Sequence, residues 1–452
     1  MKPSVNSLLH IGFDDTDSLK GSCTTYLALK IVEEIADYVE FRDYPRLIRN
    51  NPNVPWKTRG NGAIALTLSL KNDKDVDMVI SSSIDIIEQY YQKDPNTHPG
   101  FVAIKGEIHE VIRQFAIKAL TEVISISFAK SIAQKNCLKY HFIGNGRGLI
   151  GALAAIGNSI NPIEEDFTYE LLSYRDSAFI GTKRQVDAAS VKRMDEQLEP
   201  LVFNNIDEET DKVLISPAGL DPVLYGIRGE KPNILLKAMS IVKTDEPIEA
   251  YCIFRTNQGT DQHFKYSSNR IRNFNTFRAE IEVINSPITI EGGHVIFKGR
   301  ITQTNKILDV AAFEPSKSFR NTIRKVLPGD KLIAFGGIRY KKEFSSFTLQ
   351  LEKCEIKHIS DHFIEEAPHC PKCEKRMTSN GRDKGYKCRN CGFKDPYITK
   401  KKIPIKREIT KGIFTPPAQA QRHLVKPKRR YNLEMKKHFN IVENWWKRSN
   451  KE

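Results

Sequence analysis

Long apolar runs are missing from this 452-residue chain. Its longest, such as Leu149–Ile156, fall well short of the ~20 residues that span a bilayer, which excludes a helical membrane protein. Cysteine is scarce: of eight, Cys23, Cys137, Cys252 and Cys354 are scattered singly, and the other four cluster. That distribution argues against a disulfide scaffold and for a reducing compartment with one metal site. No positively charged leader precedes an apolar segment, so a cytoplasmic protein is expected. Acidic residues are sparse at one end only. From Cys370 to Glu452, 24 Lys/Arg face 7 Asp/Glu, a net of +17 in a chain of +15, leaving about −2 for the rest. The basicity belongs to a C-terminal attachment, which points to a grip on a polyanion; a merely solvated tail is the bland alternative. What is present, 40% apolar and 28% charged residues, describes a globular chain with room for about three domains.

The stretch richest in chemistry is Ile11-Gly12-Phe13-Asp14-Asp15-Thr16-Asp17-Ser18, running on through Lys20-Gly21-Ser22-Cys23-Thr24-Thr25-Tyr26. Leu8 to Phe13 reads as a strand, and from Thr24 the spacing of Leu27, Ile31 and Ile35 is helical. Clustered carboxylates suit Mg²⁺, and hydroxyls with helix-N-terminal amides suit phosphate oxygens. Two other readings stand beside this one. An acidic loop with an N-cap needs the same residue types. A dehalogenase-type phosphatase would place Asp15 as nucleophile and Asp17 as acid, but no convincing downstream lysine and acidic pair accompanies them.

Arg46 to Gly62 reads as a long loop in which Arg46, Arg49, Lys57 and Arg59 face phosphates and Trp56 stacks on a base or anchors the loop to its own domain. Ala63–Leu70 and Phe101–Lys105 alternate as strands, Val76–Tyr91 and His109–Gln134 read as helices, and Cys137–Phe142 as a strand. This is an α/β body. Glycines in Gly144-Asn145-Gly146-Arg147-Gly148, after a strand and before a small-residue helix, bring backbone amides near phosphates or simply make a tight turn. Val186–Phe203 reads as a helix. In the loop Ser216–Glu230, Asp221 and Glu230 are candidates to receive a cationic substrate, unless Asp221 is only an Asx-turn before proline.

From Glu246 the pattern is all-β: strands at Ala250–Phe254, Pro287–Thr302, Ile307–Phe313, Lys331–Ile338 and Phe347–Ile356, with a helix at Phe319–Val326. That order is expected of an OB-fold that binds single-stranded nucleic acid. Cys370-x-x-Cys373 and Cys388-x-x-Cys391, 14 residues apart, are the strongest single signal: four thiolates around one structural Zn²⁺. Lys372, Lys375, Arg376, Lys387 and Arg389 surround them as candidate RNA contacts, and 401–452 is expected to order only on RNA.

FDDTDS with KGSCTTYLA, GNGRGLIGALAAIG and DPVLYGIRG resemble, in this order, the motifs of the archaeal tRNA-Ile agmatidine synthases (2-agmatinylcytidine synthetases). Tyr174-Arg175 and Gly181-Thr182-Lys183-Arg184 also look like family positions. The resemblance implies kinase-like and ferredoxin-like α/β parts before the OB-fold, zinc ribbon and basic tail. The boundaries are expected at 1–60 with 137–195 (ATP-binding), 61–136 with 196–246 (ferredoxin-like), 247–360 (OB-fold), 365–400 (ribbon) and 401–452 (tail). It implies that ATP phosphorylates the 2-carbonyl oxygen of the wobble cytidine of the minor isoleucine tRNA, after which the amine of agmatine displaces the phosphate. Asp14, Asp15 and Asp17 would hold Mg²⁺, and Thr24 is the hydroxyl for which the family's threonine–cytidine kinase domain is named. Lys20, Gly21, Thr25, Gly144, Gly146, Arg147 and Gly148 would hold ATP. The chemistry is self-consistent, since an amide-like oxygen leaves only once phosphorylated. A non-catalytic single-strand-binding protein is the competing class, because an OB-fold with a zinc ribbon suffices for that.

Overall fold

The computed structural model describes residues 8–58, 60–158, 166–267, 270–342, 346–434 and 440–448. Strand β1 (Leu8–Asp14) leads to helix α1 (Thr24–Ile35), strands β2 (Val39–Phe41), β3 (Arg46–Arg49) and β4 (Gly62–Leu70), helix α2 (Val76–Tyr90) and strand β5 (Gly100–Lys105). Helices α3 (Glu110–Thr121) and α4 (Ile126–Asn136), strand β6 (Lys139–Phe142) and helix α5 (Gly148–Gly157) follow. Then come β7 (Thr168–Arg175), α6 (Ala188–Leu198), the pair β8 (Ile206–Asp207) and β9 (Lys212–Val213), β10 (Val223–Gly229), α7 (Pro232–Ile241) and β11 (Ile248–Thr256).

One sheet holds the body together, in the order β10-β7-β11-β3-β4-β1-β5-β6. Its central strands are buried on both faces, so their apolar residues run on instead of alternating. Leu9, Ile11 and Phe13 of β1 join α1 in one core. Its other face takes α5, packed so closely that a Cβ on Gly12 would stand 2.5 Å from the carbonyl oxygen of Ala152. Only glycine fits there, and the small residues of α5 permit the approach. Strand β3 joins the two parts of the sheet through a short parallel pairing, Arg46 with Arg255 and Leu47 with Thr256.

This connectivity corrects several expectations. β1 pairs with β4 and β5, so 1–60 and 61–136 share one sheet and are not separate units. β11 belongs to the body and not to the all-β part, because its edge is taken by β7. His109–Gln134 is two helices, interrupted where Ser125 accepts the amide of Phe128 at 3.3 Å and starts α4. Arg46–Arg49 is strand and not loop, since both its neighbours in the sheet are built from distant residues.

After α8 (Gln262–Lys265) come β12 (Thr276–Val283), β13 (Ile288–Thr289), β14 (Val295–Ile301), β15 (Ile307–Ala312), α9 (Phe319–Arg324), β16 (Lys331–Lys341) and β17 (Ser346–His358). Strands β12, β14, β15, β17 and β16 pair in sequence, and β12 closes on β16. The result is a closed barrel around Phe277, Ile281, Phe297, Val310 and Leu349. Pro287–Thr302 is a hairpin, β13 against β14, because Gly292 and Gly293 both take φ 78° and turn the chain.

The C-terminal segment starts with β18 (Phe363–Glu366), then the ribbon strands β19 (Thr378–Ser379), β20 (Tyr386–Lys387) and β21 (Lys394–Asp395), and β22 (Lys401–Pro404), which returns to pair with β18. β23 (Gly412–Phe414) lies on barrel strand β17, and β24 (Trp446–Arg448) on body strand β11. The described part of 401–452 is therefore a strap across barrel and body, not a segment awaiting RNA. Arg430, with 0% of its surface exposed, binds Glu230 at 2.5 Å and Asp166 at 2.9 Å. Trp445 packs against Phe41 at 5.4 Å between centroids. Lys426 and Arg429 of the tail likewise pair with Asp166 and Asp195 of the body. Among the described residues no helix is long and apolar enough to cross a membrane.

Candidate active site

β1 ends at Asp14, and the turn after it throws three carboxylates toward the start of α5 on one side and of α1 on the other. A cavity of about 1020 Å³ opens there. Its wall brings together Asp14, Asp15, Asp17, Thr24, Thr25, Arg147 and Asp221, with Arg49 at the end of β3 and Trp56 and Lys57 from the segment after it.

Asp15 takes φ 61°, a conformation Asp tolerates better than most residues. Its carboxylate accepts both arms of Arg147, Nε at 2.8 Å and Nη2 at 2.7 Å, and the amide of His98 at 3.2 Å. Arg147 thus closes the acidic turn from the glycine-rich loop. Asp14 is pressed against α5: a Cβ on Gly151 would stand 1.8 Å from its Oδ2. Burial, then the neighbouring Asp15, raises the Asp14 carboxyl well above its ordinary range. Thr16 donates to Thr24 at 3.1 Å, and Thr24 and Thr25 open α1.

The three carboxylates do not meet at one point. Among the described residues, the cysteines are the one group of three or more metal-ligating side chains that converges. The donor set nonetheless suits a hard cation. A half-buried Asp14 lies beside two further carboxylates, and the guanidinium of Arg147 occupies the face of Asp15 where positive charge is accepted.

Not every expected residue reaches the cavity. Lys20 is 72% exposed and paired with Asp94 at 2.8 Å, and Gly21 sits beside Gln92 outside the cavity wall. Gly144 and Gly146 take φ 64° and 82° to make the turn. The amide of Gly148 donates to His98 at 3.0 Å, so it is spent inside the fold. Arg46 is buried, donating to Thr67 at 2.7 Å, and is a sheet residue instead of a phosphate contact. Glu230 is paired with Arg430 and does not line the cavity. Asp221 does line the wall, clamped by Arg184, which donates to its Oδ1 at 3.2 Å and to the carbonyls of Gly219 and Asp221 at 2.9 Å. Arg59 lies outside the described residues.

Three wall residues were not singled out from the sequence: Glu170 of β7 and His423 of the strap, which carry no local signal, and Arg228 of β10, which lies within the DPVLYGIRG string. Glu170 accepts Arg228 Nε at 3.1 Å, with Arg49 Nη2 at 3.8 Å and Gln258 beside it. Glu170 and Arg228 come from separate strands and His423 from the strap, and only the sheet order and the strap's path join them.

In the ribbon, the thiols of Cys370, Cys373, Cys388 and Cys391 lie within 4.8 Å of one another, with Cys370–Cys391 and Cys373–Cys388 at 3.5 Å. Four sulfurs on a tetrahedral Zn²⁺ stand roughly 3.8 Å apart, so the set fits zinc with no open position. Lys372, Lys375, Arg376 and Arg389 are exposed around it and Lys387 is half-buried.

Domain models assign the same parts. The TiaS TCKD domain matches residues 10–144, the TiaS FLD domain 146–263 and the TiaS C-terminal zinc ribbon domain 367–409. The 2-agmatinylcytidine synthetase TiaS of Methanosarcina mazei, which acts on an isoleucine tRNA, is 40% identical over 423 residues, 92% of this chain and 96% of the relative. The chain belongs to the TiaS family. The TiaS of Thermococcus sibiricus is 39% identical, covering 93% of this chain and 95% of that one. The crystal structure of a TiaS–tRNA–ATP complex superposes with a TM-score of 0.83 at 37% identity, over 93% of this chain and 97% of the other. That of a TiaS–tRNA–AMPCPP–agmatine complex gives 0.80 at 36% identity, over 93% and 96%. The TCKD and FLD matches are contiguous, in keeping with one sheet whose halves meet at β3 and β11, and not with interleaved domains.

Proposed function

We propose that this protein is an ATP-dependent carbon–nitrogen ligase that attaches agmatine to C2 of the wobble cytidine of the minor isoleucine tRNA, giving agmatidine. The observation that carries the reading is one cavity in which Arg147 meets Asp14, Asp15, Asp17, Thr24 and Thr25, which stand 122 to 133 positions before it in sequence. TiaS relatives at 40% identity over nearly the whole chain support it.

In this reading Asp14, Asp15 and Asp17 would hold Mg²⁺, which would supply the positive charge that a transferring phosphoryl group needs. Arg147 exchanges its pairing with Asp15 for a phosphate oxygen. Thr24 and Thr25, at the start of α1, direct hydroxyls at the same group. Asp221, held by Arg184 against the mouth, faces the cationic amine. Phosphoryl transfer to O2 of the cytidine turns a poor leaving group into phosphate, and the agmatine nitrogen then forms the C–N bond as phosphate departs. We assign the half up to 144 as kinase-like and the following half as ferredoxin-like. The barrel, with a helix between its third and fourth strands, is read as an OB-fold. Trp56, Lys57 and the exposed ribbon cations are assigned to RNA, with Arg49 shared between RNA and Glu170.

Incubation of unmodified tRNA with ATP, Mg²⁺ and agmatine, followed by nucleoside mass spectrometry, should show a cytidine increased by agmatine less water. No such nucleoside, together with RNA binding that leaves ATP consumption unstimulated, would favour a non-catalytic binding protein.

A further inference from the structure

The strap does more than tie barrel to body: it supplies a side chain to the cavity. The carbonyl of His423 accepts the amide of Gly259 at 2.8 Å, and the next residue, Leu424, accepts that of Asp261 at 2.8 Å. Before it, Arg422 donates to Pro52 O at 3.0 Å and Asn53 Oδ1 at 2.8 Å and lies 3.5 Å from Glu352 of the barrel. Loop, barrel and body thus all fix the position of His423. Its ring opens into the cavity. One edge, through Nδ1, lies 3.5 Å from Arg228 Nη2. The other lies against Gly60, where a Cβ would stand 2.7 Å from Nε2 and 2.6 Å from Arg49 Nη1.

This arrangement sets a tautomer. With a guanidinium N–H aimed at Nδ1, that nitrogen accepts and Nε2 carries the proton. Desolvation against the cavity wall, then the nearby Arg49, Arg228 and Lys57, lower the pKa of the imidazole and so favour its neutral form. Around His423 the wall therefore presents Arg49, Arg228, Lys57 and one N–H, with the carboxylate of Glu170 held between Arg49 and Arg228 and the aspartates elsewhere on the wall. Such a set accepts an oxyanion.

We propose that His423, with Arg228 and Arg49, forms a phosphate-oxygen site that seats the RNA backbone beside the nucleotide admitted to the cavity. Because Arg422 touches the loop and the barrel, the strap sets this seat only when those parts are in register. The inference rests on the tRNA-modifying reading given above. ATP phosphate is the other source of the same chemistry, and the aspartates with Arg147 already provide for it.

The test is steady-state agmatinylation by the full-length, zinc-loaded protein and its His423→Ala and His423→Gln variants, with tRNA and ATP varied in turn. Losing a hydrogen bond to a charged group predicts roughly a 10- to 100-fold fall in kcat/KM for tRNA in H423A. KM for ATP and the melting temperature should stay near wild type, and the amide N–H of H423Q should restore most of the loss. Unchanged kcat/KM for tRNA in H423A would overturn the proposal. So would a lowered melting temperature that accounts for the loss without rescue by Gln, which would make His423 a strut. A rise in KM for ATP alone would give the phosphate to ATP and overturn the RNA assignment. Wild type that makes no agmatidine would sink the ligase reading instead. The seat would then be judged by titrating cytidine 5′-phosphate against cytidine with ATP saturating: a preference for the phosphate lost in H423A supports it, and an equal preference in both proteins overturns it.

Discussion

Replacing Arg430 by methionine removes one guanidinium that is entirely out of water and bound to two carboxylates. Glu230, 1% exposed, accepts it at 2.5 and 3.0 Å, and Asp166 at 2.9 and 3.1 Å. Breaking a buried pair from one side costs about 3–5 kcal/mol, chiefly because the surviving charge is left without compensation. Methionine keeps most of the volume, so little of that loss would come from a cavity. Asp166 retains Lys426 at 3.1 Å, which leaves Glu230 as the main casualty. For a cooperative unit of body size, the lower figure amounts to roughly a 6–12 °C fall in Tm. The pH dependence follows from the sign of the Glu230 shift. Burial already raises its carboxyl, and Arg430 is the first influence opposing that rise. Without Arg430 the folded pKa climbs further above the unfolded one. The folded state then takes up a proton more readily than the unfolded, and the deficit is largest above the folded pKa and shrinks as pH falls through it. Urea or thermal unfolding of R430M and wild type between pH 5 and pH 8 should show curves that converge toward acid. The double variant Glu230→Gln/Arg430→Met should recover much of the loss at pH 8, since no buried charge remains. A Tm within 2 °C of wild type, or a deficit that does not vary with pH, would refute the reasoning.

Asp15→Asn and Asp17→Asn should each cut ATP turnover by at least about 100-fold while tRNA affinity stays nearly unchanged; Asn suits the positive φ of Asp15, so the charge is what is lost. Filter binding and ATP hydrolysis measured on the same samples check this. Cys388→Ser should release zinc and melt the ribbon, because metal binding is folding energy in so small a module, and should leave the body's unfolding transition in place. Metal analysis with calorimetry reads both. Ending the chain at Glu366 should lower the stability of the body, because Arg430, Trp445 and β24 go with the ribbon. Excising 367–400 alone, between the paired strands β18 and β22, should spare the body. Equal melting curves for the two proteins would contradict the strap.

How much could be read beforehand depends on how local each feature is. The acidic turn after β1 and the cysteine knuckles are contiguous strings, and both stand where their spacing placed them. The glycine loop reaches the aspartates through the side chain of Arg147, while the Gly148 amide, expected to face ATP, is consumed by His98. Four barrel strands, β14 to β17, fall in stretches that read as strands, but β12, which closes the barrel, was not read, and Ala250–Phe254 of the body was counted with the barrel. Arg46 and Arg49 were not legible: in RLIR, two arginines in a strand paired on both edges look like two arginines in an exposed loop. Thr67 and Glu170, both distant in sequence, with the nearby Asp43, explain them. The tail misled for a related reason. Summed charge says nothing about which carboxylate each cation meets, and Glu230, 200 positions from Arg430, seemed free to bind substrate. Glu170, Arg228 and His423 could not have been joined without the sheet order β10-β7-β11 and the strap.

The edge of β11 taken by β24 has a bearing on how the protein is made. β11 leaves the ribosome nearly two hundred residues ahead of the strand that covers it, with the barrel and the ribbon synthesised in between. Until then the edge at Ala250–Cys252 and the pocket around Phe41 and Tyr44 lack the partner that fills them in the finished fold. A nascent chain in that state carries its aspartates and its glycine loop but not the wall residue His423. It would expose an open strand edge, the feature that recruits chaperones and seeds misassembly. The catalytic half is therefore complete in sequence long before it is complete in structure.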